Sequence, residues 1–282
     1  MKEIDYTRIS TYLLCPRKYY WRMVRHLVPP IPNVAAEFGR CIHESLDVWY
    51  IEKDYKKAQE KFSSEWNEEM ADGKRCEKTA HEMLKVYHDK YLDQPFEVLG
   101  VEESFSLLLP NNISYTGRRD KRVKWQGAEW IIDHKTTSML SATFLQTIKP
   151  NTQFDGYVWS ARKEGYNCVG VILDALLVAK GIANASWRNN HECVARNVSY
   201  RDEEDLKQFE DRVISVSTDI ATLENLAESH EEWRQNTDAC TKWNSLCPYR
   251  KLCLEKDPKV IHTIIGEYNV EPWEPNREKG GD

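Results

Sequence analysis

The sequence predicts an α/β protein: a central mixed sheet flanked by helices, a helical region ahead of the sheet and a cysteine-bearing region behind it. Three observations carry this. The hydrophobic period changes from helical to strand-like at Val98, a helix and an apolar strand follow one another between Asn151 and Val178, and a stripe of apolar residues at steps of three and four begins at Leu206. The chain divides accordingly into a helical region over 1–95, a core of sheet and helix over 96–200, and a region over 201–282 with the long helix, three cysteines and a polar tail.

The elements follow in order. Between Cys15 and Arg25 the segment CPRKYYWRMVR reads helical, and Val28 to Pro32 (VPPIP) ends it, because proline lacks the amide donor and restrains its predecessor. A second helix carries His43. Asp54 is an N-cap for a third, in which Ala58, Phe62, Trp66 and Met70 recur every four residues and so line one face; a fourth runs from about Lys78 to Leu92. A strand from Val98 to Leu109 meets the turn Pro110, Asn111, Asn112, and strands over 113–124 and 129–137 flank Gln126-Gly127, a hairpin turn. A helix from Asn151 to Glu164, an apolar strand from Val169 to Val178 and a strand from Glu192 to Ser199 complete the core. After Arg201, Leu206, Phe209, Val213, Val216, Ile220, Leu223 and Ala227 form an amphipathic helix. It lacks the charge code of a coiled coil and is expected to pack on the body of the protein. The tail NREKGGD has the composition of a mobile segment.

With 282 residues, 41% hydrophobic and 30% charged, the chain can bury a real core as one elaborated domain or two small ones, which excludes a disulfide-stapled miniprotein and intrinsic disorder. Lys2, Glu3 and Asp5 stand where a signal peptide needs an apolar run, and no window reaches the roughly 18 apolar residues of a membrane span. A soluble, cytoplasmic protein is expected, or one in an intracellular host compartment if phage-encoded. Eight cysteines in a reducing compartment point to metal ligands or free thiols rather than disulfides. The net charge of −6 confines any nucleic-acid contact to local patches. Two such patches stand out: residues 15–25, with Arg17, Lys18, Arg22 and Arg25 and no acid, and GRRDKRVK, in which Arg118, Arg119, Lys121, Arg122 and Lys124 face a single Asp120. No G-x-x-x-x-G-K-[ST] loop occurs, so a helicase motor is not encoded here.

In IIDHK, strand alternation puts Asp133 and Lys135 on one face and His134 on the other. If the hairpin turns on Gln126 and Gly127, stepping back one residue on each side sets Asp120 opposite Asp133. Like charges directly opposed are destabilising unless a cation lies between them. In the next helix, Gln153 and Tyr157 share a face at i and i+4.

His43, GRRD ending in Asp120, DHK with Asp133 and Lys135, and QFDGY with Gln153 and Tyr157 together resemble the RecB-type branch of the PD-(D/E)XK nuclease superfamily over about 15–255. The resemblance implies a restriction-endonuclease-like core. It also implies Mg²⁺ or Mn²⁺ on His43, Asp120, Asp133 and the backbone carbonyl of His134, a catalytic Lys135, and Gln153 and Tyr157 shaping the site or touching DNA. Glu102 or Glu103 would assist. An imidazole ligand favours Mn²⁺ over an all-oxygen site.

Cys240, Cys247 and Cys253 lie close together, and Cys15, in LLCPRKYY, echoes Cys247 in LCPYRK. Members of the same branch, such as AddB and the CRISPR-associated RecB-like exonucleases, bind a [4Fe-4S] cluster through one N-terminal and three C-terminal cysteines. This chain is similar to them. Chemically, four thiolates suit such a cluster or tetrahedral zinc, although the short C-x-x-C pairs of zinc ribbons are absent. The cluster would clamp both ends of the chain and bring residues 17–25 together with Lys242, Arg250 and Lys251 as a DNA path. Cys41, Cys76, Cys168 and Cys193 are expected to be small buried residues.

The expected function is a metal-dependent DNA exonuclease acting on single strands or DNA ends in recombination or repair, with any unwinding supplied by a helicase or recombination partner. The alternative is a nuclease-like DNA-binding or assembly subunit with little or no cleavage. A zinc-containing adaptor comes third.

Overall fold

The structure, a computed structural model, describes residues 3–189 and 191–274, except the side chains of 243 and 244; the tail NREKGGD lies outside the described residues. In chain order the elements are β1 (Glu3–Ile4), α1 (Tyr6–Leu14), α2 (Pro16–Tyr19) continued by a π turn over Tyr20–Val24, β2 (Leu27–Val28), α3 (Val34–Glu52), α4 (Tyr55–Glu65) and α5 (Glu77–Tyr91). Then come β3 (Glu97–Leu108), β4 (Ser114–Trp125), β5 (Ala128–Thr137), α6 (Ala142–Gln146), α7 (Thr152–Lys163), β6 (Cys168–Leu177), α8 (Ala185–Asn189) and β7 (Val194–Tyr200). The chain closes with α9 (Glu203–Leu226), α10 (Arg250–Leu254), α11 (Pro258–Ile265) and β8 (Asn269–Val270). Among the described residues no helix is long and apolar enough to cross a membrane.

Among these residues one six-stranded mixed sheet runs in the order β1-β4-β5-β6-β7, with β3 also paired to β4. β4 and β5 are antiparallel, β5 and β6 parallel, and β6 and β7 antiparallel. The β4–β5 turn has positive φ at both Gln126 (49°) and Gly127 (79°), the twist that fits a two-residue hairpin. The register follows from it, with Trp125 opposite Ala128 and Lys121 opposite Ile132, so the next pair along is Asp120 and Asp133.

Two compact units are present. The first comprises 33–105 and 118–206 and contains β5, β6 and β7 with α3, α4 and α5. Its core gathers Phe38, Ile42, Leu46 and Trp49 of α3, Phe62 of α4, Met83, Leu84 and Tyr87 of α5, and Trp130, Ile132, Ile172 and Leu176 of the sheet. Burying one such side chain contributes roughly 1.5–3 kcal/mol. Asp54 caps α4 by accepting the Lys56 amide, as expected. The helix stops at Glu65, however, short of the Trp66 and Met70 that its i+4 stripe included. Asn67 takes the Glu69 amide and starts a separate turn, a side-chain bond that competes with helix continuation. Trp66 and Met70 still pack on the same core.

The second unit comprises the described parts of 1–32, 106–117 and 207–282. Trp21, Leu27, Tyr249 and Leu252 form a small core of their own, packed by Cys247, Cys253, Ile261 and Ile265. β2 pairs with β8, and the Tyr249 hydroxyl donates to the Leu27 carbonyl at 2.7 Å, tying chain start to chain end. The apolar stripe of α9 is buried at Phe209, Val213, Val216 and Ile220, in keeping with packing rather than a coiled coil. Of the cysteines expected to be buried, Cys41, Cys168 and Cys193 are; Cys76 is half-buried at the N-terminus of α5, its Sγ 3.3 Å from Thr79 Oγ1.

Candidate active site

Every side chain that the sequence singled out for the chemistry lies in the first unit. Asp133 and Lys135 leave β5 on one face, and Lys135 Nζ lies 2.8 Å from Asp133 Oδ2 and 3.1 Å from Oδ1. Asp120, beside them on β4, accepts the His134 amide at 3.1 Å through Oδ2; the same oxygen lies 3.2 Å from His43 Nδ1 on α3. The His134 side chain points the other way and is fully buried, its ring edge-on to Tyr50 at 5.5 Å.

A residue that the sequence reading passed over makes the α3 approach possible. A Cβ at Gly39 would lie 3.2 Å from Thr136 Oγ1, so α3 crosses β5 next to Lys135 at a distance that a side chain would contest. Gly39 stands one turn before His43, and that spacing in a helix was the available signal.

The electrostatics are asymmetric. Burial pushes the Asp133 carboxyl up to about 6 and the like charge of Asp120 adds to this, with Lys135 offsetting only part. Burial also works against ionising Asp120, but His43, the hydrogen bond from His134 and Lys121 outweigh it and hold that carboxyl well below the usual range. His134 is pushed down to about 4, first by burial and then by Lys121, so its imidazole is neutral near pH 7.

On α7, capped by Asn151, the Gln153 side-chain amide donates to the Tyr157 hydroxyl at 2.8 Å, as the i, i+4 spacing predicts. Lys135 Nζ stands 5.8 Å from the ring centroid of Phe154, between them in sequence.

The basic strand differs from its expected role. Arg118 pairs with Glu102 at 2.7 Å. Arg119 is 2% exposed and bound to Glu164 and Ser160, Arg122 bonds Glu103 and Glu129, and the fully buried Lys121 pairs with Asp47 at 2.6 Å. Each of these four cations therefore has a carboxylate partner within the structure, Glu102 and Glu103 among them. Similarly, Arg17 donates to the Trp233 and Glu231 carbonyls, Arg22 to the Glu271 carbonyl and Arg25 to the Tyr20 hydroxyl.

Among the described residues no group of three or more His, Cys, Asp or Glu stands already arranged to hold a metal ion. His43 faces Asp120 and Asp133 faces Lys135 instead. The donor set nonetheless fits a hard or borderline divalent cation: one imidazole nitrogen and two buried carboxylates, one of them held ionised and the other made reluctant to ionise by burial and by its like-charged neighbour.

Cys15, Cys240, Cys247 and Cys253 all belong to the second unit, but among the described residues they do not stand arranged as a metal-binding group either. Burial raises the Cys247 thiol, and nearby Cys240 and Cys15 add to the rise; Cys253 is pushed up to about 11, again by burial first and with Cys247 and Cys15 contributing. The Asn236 amide donates to Cys15 Sγ at 3.4 Å and the Gln235 side chain to Cys240 Sγ at 3.6 Å.

A family model of the PD-(D/E)XK nuclease superfamily matches residues 4–254. No curated protein matches the chain. Among solved structures, the crystal structure of "Putative exonuclease" from Eubacterium rectale is similar at 12% identity and a TM-score of 0.49, covering 93% of this chain and 92% of that one. The crystal structure of SSO0001 is similar at 16% identity and a TM-score of 0.34, covering 77% and 85%.

Proposed function

The chain belongs to the PD-(D/E)XK nuclease superfamily, whose members use divalent metals such as Mg²⁺ or Mn²⁺, and from that premise we propose that it is a deoxyribonuclease acting as an exonuclease on single strands or DNA ends. The observation that carries this is the convergence of His43, Asp120, Asp133 and Lys135 from one helix and two adjacent strands.

His43, Asp120, Asp133 and the His134 carbonyl would hold Mg²⁺ or Mn²⁺. When bound, the ion supplies Lewis-acid activation of water and stabilises the phosphate and the leaving oxygen. Asp120, held ionised, would anchor it, and the charge of the ion would favour the ionised form of Asp133 that burial opposes. The Lys135 ammonium, on the same strand face, orients the attacking water and meets the negative charge that develops on the phosphate. Gln153 and Tyr157, locked to each other, form a polar wall on α7 that positions the strand to be cut.

We assign Cys15, Cys240, Cys247 and Cys253 to a [4Fe-4S] cluster with a structural role. The electrostatic influence of Cys15 and Cys240 on Cys247, and of Cys15 and Cys247 on Cys253, together with an amide donor to the Cys15 sulfur, supports this, since thiolate charge is stabilised by such donors. In a chain-entropy picture, closing so long a loop is worth roughly 5 kcal/mol. Unwinding would come from a helicase or recombination partner.

The test is cleavage of end-labelled single- and double-stranded DNA by anaerobically purified protein with Mg²⁺ or Mn²⁺, alongside iron, sulfide and zinc analysis. Metal-dependent shortening from an end, with iron and sulfide present, is expected. DNA binding without cutting would instead establish a binding or assembly subunit, and zinc without sulfide would remove the cluster.

A further inference from the structure

Behind the strand that carries Asp133 and Lys135, three ionisable side chains stand in one row across the sheet. The β5–β6 register sets His134 beside Asp174, and the β6–β7 register sets Asp174 beside Arg196. Asp174 and His134 are both fully buried. Arg196 Nη2 donates to Asp174 Oδ2 at 2.8 Å, and His134 Nε2 lies 3.7 Å from that oxygen. Two helices close on the row through their phenols. Tyr87 of α5 donates to Asp174 Oδ2 and accepts from Arg196 at 2.9 Å. Tyr50 of α3 accepts from Arg196 at 3.2 Å, and its hydroxyl is 2.8 Å from that of Tyr87.

Stability alone does not account for this group. Taking a carboxylate and a guanidinium out of water costs several kcal/mol per ion, and a well-packed apolar pair is often as stable or more so. A buried polar network adds direction: the bonds that Asp174 Oδ2, Arg196 Nη2 and the two phenols make are met in one arrangement of the strands and helices and lost in its neighbours, even though Asp174 Oδ1, Arg196 Nε and His134 Nδ1 stay unbonded.

The arrangement it selects bears on the site. Tyr50 and His43 are two turns apart on α3 and so share a face. The His43 ring meets the His134 ring edge-on at 5.9 Å, and the His134 amide holds Asp120. A slip of α3 along β5 would therefore move His43 away from Asp120 and break the Tyr50 bonds at the same time.

We propose that Asp174, acting through Arg196, Tyr87 and Tyr50, is a positioning residue that sets α3 against β5 and thereby places His43 beside Asp120 and Asp133. Its consequence for catalysis rests on the nuclease function proposed above; the positioning itself rests on geometry and is measured separately.

The experiment uses the full-length protein and two double variants. Tyr50→Phe/Tyr87→Phe removes two hydroxyls and little volume; Asp174→Leu/Arg196→Met exchanges the ion pair for apolar groups. Imidazole ¹H–¹⁵N spectra report the surroundings of His43 and His134 whatever the activity, and calorimetric titration with Mn²⁺ reports the metal donors. Both variants should fold, with shifted or broadened His43 and His134 resonances. Mn²⁺ affinity and turnover should each fall about tenfold or more, the usual effect of losing the partners that orient metal ligands. Unchanged imidazole spectra in whichever variant folds overturn the positioning role, and shifted spectra with wild-type Mn²⁺ affinity overturn its link to the site. Should the wild type bind no Mn²⁺ and cut no DNA, the nuclease function fails, and the spectra still decide the positioning.

Discussion

His43 Nδ1, on a helix in the first fifth of the chain, lies 3.2 Å from Asp120 Oδ2 on a strand far along it. The Asp120 oxygen also holds the His134 amide, so one carboxylate joins α3, β4 and β5 at the point where Asp133 and Lys135 emerge. The consequences divide according to which of these groups is removed.

Asp133→Ala should abolish cleavage and metal binding at the site while DNA binding, followed by fluorescence anisotropy, survives. Lys135→Ala should leave Mn²⁺ affinity in place and lower turnover by about 10²–10³, the scale of a lost electrostatic stabiliser. His43→Ala should raise the Mn²⁺ requirement, with excess Mn²⁺ restoring part of the rate. Wild-type cutting by both Asp133→Ala and Lys135→Ala would move the active site elsewhere.

Acidity should compete with the metal. Asp133 in the folded chain titrates near 6 against an ordinary 3.8, because burial, with Asp120 adding, favours its neutral form. A raised carboxyl contributes stability that is fully present below 3.8 and lost as pH rises through 6. With chelator present, Tm should therefore fall through this group between about pH 4 and pH 7. Mn²⁺ should raise Tm by several degrees at neutral pH and by much less near pH 4, where protons occupy the carboxyl. An equal Mn²⁺ shift at both pH values would sever Asp133 from metal binding.

Gly39 should tolerate alanine better than valine. An added Cβ meets Thr136 Oγ1 at 3.2 Å, a few tenths of an ångström too close, whereas a branched side chain pushes α3 outward. Gly39→Val should cost roughly 1–3 kcal/mol in chemical denaturation and weaken Mn²⁺ binding. Pairing it with Thr136→Ala should recover part of both, and no recovery would place the clash elsewhere.

Purified anaerobically, the wild type should be brown, and Cys15→Ala or Cys247→Ala should bleach and destabilise it, because the proposed ligands come from position 15 and from positions 240–253. A colourless wild type with one zinc per chain is the result that removes the cluster.

Arg119→Ala should behave as a folding variant. Its guanidinium is buried against Glu164 and Ser160, and breaking a buried pair by removing one partner costs roughly 3–5 kcal/mol. Denaturation should show that loss, while DNA affinity and its salt slope stay at wild-type values. A flattened salt slope would return this arginine to the DNA surface.

What the sequence by itself determined was whatever local chemistry decides. Gln126-Gly127 admits a tight turn, and a tight turn allows one register, so Asp120 falls beside Asp133; a period of two separates Asp133 and Lys135 from His134; a period of 3.6 sets Gln153 over Tyr157. Tertiary structure decided how the charges are used. Arg118, Arg119 and Arg122 read as a phosphate-binding strip because their partners Glu102, Glu103, Glu129 and Glu164 come mostly from other elements, and the match is visible only once the sheet and α7 are assembled. The row of His134, Asp174 and Arg196 needs two strand registers and two helices before it exists. Its one trace in the sequence is a lone aspartate inside the apolar run VGVILDALL, where an acid has no place unless something buried answers its charge.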